Sequence, residues 1–277
     1  LPEGGHGDPP HYLRNLSKVW TLPDSDKNSL KNVQLKQMLN AAKSIVAFTG
    51  AGISAESGIP TFRGVGGLWT QYDPEKAVSI EYFRRDPSYY WQFFRDVRHD
   101  LMIKAQPNAA HLALVELERR GKLRAVITQN IDGLHHSAGS KTVLELHGNT
   151  RRFYCVRCRK PFTIEQAWEM LQTKLPPECD KCGGVLRPDV VLFGEFLPED
   201  VVHAAETEAS TCDLMLVVGS SLVVYPAANL PYLAKRSGAQ LVIINIDPTP
   251  LDCIADLVLH TAAGEALRQT VMNLDEG

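Results

Sequence analysis

A short apolar run, Ile45-Val46-Ala47-Phe48-Thr49, leads directly into Gly50-Ala51-Gly52. Five residues without polar alternation predict a strand buried on both faces, as in a parallel sheet. A strand that stops at Gly-x-Gly is where an α/β sheet brings backbone amides up to a phosphate group. Gly50 permits the tight turn and Gly52 a close approach of the main chain. Ala55 is small enough for the third position, where the next helix lies near the strand. The same pattern also fits an ordinary tight turn. The residues after it are less generic: Pro60 stops the helix and sets Thr61, Phe62 and Arg63 on a loop over the ligand site.

Further apolar runs recur downstream. Strands are predicted at 124–128, 143–146, 214–218, 241–246 and 257–259, with helices at 30–43, 199–210 and 227–237. Asp86-Pro87-Ser88 caps a helix reaching about Lys104, and Pro107-Asn108 starts one that ends at Gly121. Strand–helix alternation of this kind predicts an α/β fold with a doubly wound, mostly parallel sheet. Residues 1–28 are rich in Pro, Gly and Asp and read as a flexible arm.

Four of the six cysteines form Cys155-x-x-Cys158 and Cys179-x-x-Cys182. Two residues between cysteines let a knuckle turn both sulfurs onto one tetrahedral ion, so the set predicts one structural zinc with no position open to water. Two disulfides, four free thiols and a nucleic-acid-binding ribbon are the competing readings. Arg157, Arg159, Lys160, Lys181 and Arg187 lie near enough in sequence to offset thiolate charge. Cys212 and Cys253 stand alone and read as small buried hydrophobes. The net charge of -3 gives no bulk attraction to nucleic acid or an anionic membrane. No apolar run reaches the roughly 20 residues of a membrane helix. With no signal peptide visible, an intracellular, reducing compartment such as the cytoplasm is expected.

Thr128-Gln129-Asn130-Ile131-Asp132-Gly133-Leu134-His135 and Glu145-Leu146-His147-Gly148 each follow a predicted strand. Val191-Leu192-Phe193-Gly194-Glu195, Gly219-Ser220-Ser221-Leu222-Val223-Val224-Tyr225-Pro226-Ala227 and Ile244-Asn245-Ile246-Asp247 come later in the chain. With Gly50 to Arg63, these segments resemble the sirtuin family of NAD-dependent protein lysine deacylases, in its prokaryotic-type catalytic core. The likeness covers roughly residues 30–274. It implies a Rossmann-like large domain (29–73, 105–150 and 188–277) and a small domain made of a helical insertion (74–104) and the zinc module (151–187).

The resemblance also implies the chemistry. An acyl-lysine carbonyl oxygen attacks C1′ of the nicotinamide ribose of NAD, and nicotinamide leaves. His147, as general base, then takes a proton from the ribose hydroxyls, the 2′-oxygen attacks the imidate carbon, and water completes the release of lysine and an O-acyl-ADP-ribose. Zinc takes no part. A histidine titrates near neutral pH, which suits this task; from local sequence alone His147 also reads as a structural residue at a strand end. Asn130 joins it as a catalytic candidate, although Asn130 and Asp132 also fit a plain turn. The implied cofactor-binding set is Gly50, Ala51, Gly52, Ser54, Ala55, Glu56, Thr61, Phe62, Arg63, Gln129, Asn130, Ile131, Asp132, Gly219, Ser220, Ser221, Asn245, Ile246, Asp247 and Ala263. Phe62 would shield the reacting carbon from water.

On the substrate side, Val191, Leu192, Phe193, Gly194 and Glu195 match one wall of the family's peptide cleft, and Leu222, Val223, Val224 and Tyr225 the other. An acetylated protein or peptide would add between them as an extended strand. Family members that favour acidic acyl groups carry Tyr-x-x-Arg on the helix after the cofactor loop. Phe94 and Val97 stand there in this chain, with Arg95 and Arg98 one position off. At 100° per residue such a shift points elsewhere, so acetyl or longer neutral acyl groups are expected. Two other functions fit parts of the pattern: protein mono-ADP-ribosyl transfer, and a non-catalytic NAD-sensing or zinc-ribbon module.

Overall fold

Ile45–Thr49 is a strand whose five residues are all buried, paired in parallel on both sides. The computed structural model describes residues 24–61 and 72–274. Its strands are β1 (Ile45–Thr49), β2 (Leu123–Thr128), β3 (Val143–Glu145), β4 (Gly148–Cys155), β5 (Pro161–Thr163), β6 (Leu186–Val190), β7 (Leu214–Val218), β8 (Gln240–Ile244) and β9 (Leu257–Leu259). The large sheet has the order β3-β2-β1-β7-β8-β9 and is parallel throughout. The order runs outward in both directions from β1 and β7. Helices on the two sides of such a sheet diverge there and leave a crevice beyond the strands' carboxyl ends.

Side chains alternate between the two faces, as the strand period requires. Ile45 and Ala47 meet Leu35, Leu39, Leu114, Leu117 and Leu267 from the helices Asp24–Ala41, Ala109–Arg119 and Ala263–Met272. Val46 and Phe48 face Ala205, Ala209, Leu230 and Ala234 from the helices Glu199–Thr211 and Asn229–Arg236.

A second, antiparallel sheet has the order β5-β4-β6. Against it packs a helical stretch from Pro87 to Lys104, whose middle, Phe94–Arg98, winds as a π-helix. Trp91 and Phe94 are fully buried on Phe153 of β4, and the Trp91 indole N–H donates to the Leu186 carbonyl at 3.0 Å. Among the described residues no helix is long and apolar enough to cross a membrane.

Several expectations shift. The first helix begins at Asp24, not Leu30, so the end of the expected arm is helical; residues 1–23 lie outside the described residues. The segment after Gly50 is a 3-10 helix, Ala51–Ser57, and Ala55 is exposed on it. The tighter coil turns Ile53 and Ser54 inward instead. Residues 148–150 and 188–190, expected with the large sheet, are parts of β4 and β6 in the small one. Cys212 is buried as read, but Cys253 is exposed.

Candidate functional site

The loops after β1 and β7 interlock at the crevice. Gly50 N–H donates to the Val218 carbonyl at 3.1 Å, and Gly52 N–H to the Gly219 carbonyl at 2.8 Å. A Cβ on Gly50 or on Gly52 would come within 2.8 Å of Gly219 backbone atoms. One on Gly219, whose φ is +63, would lie 2.1 Å from the Ile53 nitrogen. These glycines are therefore required by loop-on-loop packing; for Gly52 the sequence reading assigned that demand to approach of a phosphate.

Around this crossing lies a cavity of about 450 Å³, within the range of small-molecule sites. Its lining includes Gly50, Ala51, Gly52, Thr61, Gln129, Asn130, Ile131, His147, Gly219, Ser220, Ser221, Asn245 and Asp247. The peptide-side residues Val191, Leu192, Phe193, Gly194, Glu195, Val223, Val224 and Tyr225 line the same cavity. Elements far apart in sequence thus converge on one space.

His147 sits just past β3, and its Nδ1 lies 2.9 Å from the Gln129 carbonyl oxygen. A carbonyl only accepts, so Nδ1 carries the proton and Nε2 is left as the ring's acceptor. Burial pushes the His147 pKa down, opposed by that hydrogen bond. The ring is consequently neutral at pH 7 and able to receive a proton. The Asn130 amide N–H₂ donates to the Gly50 carbonyl at 3.0 Å and to Ser54 Oγ at 3.2 Å, leaving Oδ1 as its remaining polar atom. The Gln129 amide donates to Ser220 Oγ at 3.0 Å, tying β2 to the β7 loop.

Several predicted residues are placed elsewhere. Ser54, Ala55, Glu56, Asp132, Leu222, Ile246 and Ala263 are not part of the cavity lining among the described residues. The buried Asp132 carboxylate accepts from the Ser54 hydroxyl and the Leu134 N–H, both at 2.8 Å. Burial raises its pKa against those two bonds. Glu56 accepts from Gly264 N–H at 2.7 Å, at the start of the Ala263–Met272 helix. Leu222 takes φ +55 and is buried in the core beneath the sheet. Ile246 is 65% exposed. Phe62 and Arg63 lie outside the described residues.

The sequence reading missed Val78, Arg98, Val190, Phe196, Leu197 and Pro226, which also line the cavity. Arg98 is the informative case. The sequence reading points it elsewhere, but at the end of the π-wound Phe94–Arg98 turn the guanidinium arrives buried at the cavity beside Tyr90 and the Phe93 ring. Phe94 is instead wholly buried among aromatic rings. No signal in the local sequence marks a π turn.

The four paired cysteines converge as their spacing requires. All four sulfurs lie within 4.8 Å of one another, with Cys155–Cys182 at 3.4 Å and Cys158–Cys179 at 3.7 Å. Sulfurs about 2.3 Å from one tetrahedral ion stand about 3.8 Å apart, so the set fits a single structural zinc. Gly184 is pressed against it, since a Cβ there would lie 2.7 Å from Cys155 Sγ. None of the four lines the cavity. Of the nearby cations, Arg157 stays at the knuckle through the Cys182 carbonyl, whereas Lys160 pairs with Asp180 and Arg187 with Glu195.

The Sir2 family profile matches residues 50–226. This chain belongs to the Sir2 family. A Pyrobaculum aerophilum relative described as NAD-dependent protein deacylase 2 is 48% identical over 239 residues, 86% of this chain and 94% of that protein. A Caldivirga maquilingensis NAD-dependent protein deacetylase is 52% identical over 233 residues, covering 83% and 88%. Among solved structures, a Sir2 variant with a deacetylated p53 peptide and 3′-O-acetyl ADP ribose superposes with a TM-score of 0.83 at 44% identity, over 87% of this chain and 96% of that one.

Proposed function

We propose that this protein removes acetyl groups from protein lysines, consuming NAD and releasing nicotinamide and O-acetyl-ADP-ribose; Arg98 at the cavity takes away the ground for the expected preference for neutral acyl groups. One observation carries the reading: a histidine fixed as the Nδ1–H tautomer shares a single cavity with the glycine crossing and the 191–195 segment. The family and its named deacetylases supply the reaction class. The lining fits NAD: backbone glycines at the strand ends suit a pyrophosphate, and Asn245, Asp247 and Ser221 offer polar groups to a nucleoside. NAD supplies an activated ribose carbon whose leaving group is nicotinamide.

The chain's own residues account for the rest. His147 Nε2 receives a ribose hydroxyl proton, and the Gln129 carbonyl steadies the resulting imidazolium through Nδ1–H. Asn130 and Ile131 line the nicotinamide end. Asp132 acts from behind, fixing Ser54 and the turn into Leu134. Val191 and Phe193 line the acyl-lysine passage, while Phe193, Val223 and Tyr225, all substantially exposed, flank an extended peptide. The zinc cluster holds the small sheet together and takes no part in the chemistry.

Incubation with an acetyl-lysine peptide and NAD, followed by mass spectrometry, tests the proposal. The expected products are free peptide, nicotinamide and O-acetyl-ADP-ribose. ADP-ribosylated protein in their place would establish transferase activity instead, and no nicotinamide at all would leave a binding module.

A further inference from the structure

Glu195 lies on the cavity wall, yet its carboxylate faces a partner inside the protein. Arg187, at the second position of β6 and 9% exposed, donates through Nη1 to Glu195 Oε1 and through Nη2 to Glu195 Oε2, both at 2.8 Å. This forked geometry is the strongest form of a guanidinium–carboxylate contact. Arg187 Nη2 also reaches the Val190 carbonyl at 2.9 Å, and Nε the Pro188 carbonyl at 3.3 Å. Glu195 Oε2 accepts Leu192 N–H at 2.9 Å, and Glu195 N–H returns to the Leu192 carbonyl at 3.0 Å. The rings of Tyr154 and Phe83 flank the guanidinium at 5.5 and 5.9 Å.

The consequence is a closed staple. Without it, residues 191–195 would be a loop between β6 and the Glu199–Thr211 helix, tied to neighbouring segments, among the described residues, by three backbone bonds. Val191 N–H donates to the His147 carbonyl at 2.9 Å, Phe193 N–H to Val78 at 2.8 Å, and Ile80 N–H to Phe193 at 3.0 Å. These bonds fix the start and middle of the segment. The Arg187–Glu195 fork fixes its end, and it does so from the small sheet that the zinc cluster caps.

We infer that Arg187 and Glu195 are a positioning pair, which holds the 191–195 backbone at the height where an extended acyl-lysine peptide pairs with it, while neither side chain binds the substrate. The inference deepens the proposed deacylase reading and rests on it for the identity of the peptide. Any peptide laid on this segment loses affinity when the segment drifts, because main-chain pairing tolerates little displacement. The cofactor end, built on the β1 and β7 loops, is anchored independently.

The test compares wild type with Arg187→Lys, which keeps the charge but loses the fork, and Glu195→Gln, which keeps the shape but loses the charge. Peptide affinity is read by fluorescence anisotropy of a labelled acetyl-lysine peptide, and KM for peptide and for NAD by nicotinamide release. Each variant should weaken peptide binding about tenfold, with KM for NAD held. Removing one partner of a buried pair can unfold a protein, so the double variant Arg187→Met/Glu195→Leu, which leaves no unpaired charge, is measured alongside. If the two residues act as one clamp, the double variant is no weaker for peptide than either single variant. Peptide affinities unchanged from wild type, parallel rises in KM for peptide and NAD, or additive losses would each overturn the inference. A wild-type protein that binds the peptide but releases no nicotinamide would sink the deacylase reading alone, and the clamp would still be judged by anisotropy.

Discussion

His111 and His135 predict a specific weakness to mild acid. Both are buried, on neighbouring helices, with ring centroids 4.9 Å apart. Each ring is engaged at one nitrogen: His111 Nδ1 lies 3.1 Å from Asn108 Oδ1, and His135 Nε2 lies 2.9 Å from Thr49 Oγ1. His111 Nε2 and His135 Nδ1 have no partner among the described residues. Burial lowers the His111 pKa from 6.5 to about 4; burial, aided by the neighbouring histidines, lowers that of His135 to about 3. Above pH 6.5 both rings are neutral, folded or unfolded, and cost nothing. Below it the unfolded chain takes up protons that the folded one refuses, so stability is lost as pH falls, until the folded pKa is reached. At pH 5 the loss is about 2 kcal/mol for each ring and about 4 kcal/mol for the pair. Asp132 works in the opposite sense, because its raised pKa lets the folded state hold a proton more tightly. His147, also lowered, adds to the loss. Urea unfolding at pH 7.5 and pH 5 measures the difference, with His111→Gln/His135→Asn as the control. The wild type should lose most of this stability, and the double variant much less. Equal losses in both, or none in the wild type, would refute the argument that these two rings carry the effect.

His147→Ala should lower deacetylation by about 10²–10⁴-fold while the protein still binds NAD; comparable turnover would remove His147 as the base. Gly219→Ala should cost about 3 kcal/mol or more, since the new Cβ meets the Ile53 nitrogen at a left-handed φ, and an unchanged Tm would show that the two loops are not interlocked. A strong chelator, or Cys179→Ser, should release zinc and lower the Tm; metal analysis finding no zinc in purified protein would contradict the four-thiolate site. Arg98→Met should lower the ratio of succinyl- to acetyl-lysine turnover, because Arg98 brings a buried cation to the cavity. An unchanged ratio would mean that this side chain does not reach the acyl group.

Features whose demands are local could be read from the chain alone. Ile45–Thr49 had to be buried on both faces, the paired cysteines had to close on one ion, and Asn108 had to cap a helix. In each case residue type and spacing specify the backbone directly. His147 and Asn130 were legible through the motifs around them, though the tautomer of one and the bonding of the other depend on Gln129, Gly50 and Ser54. Packing decided the rest. Ala55 faces solvent on a turn that winds as a 3-10 helix, and Arg98 lines the cavity from the end of a π-wound turn. Glu195 bonds inward because Arg187, on β6, arrives opposite it. Residue type restricts which contacts a side chain can make, but its actual partner depends on which segment the finished fold lays beside it. That information is spread over the whole chain and is absent from any one motif.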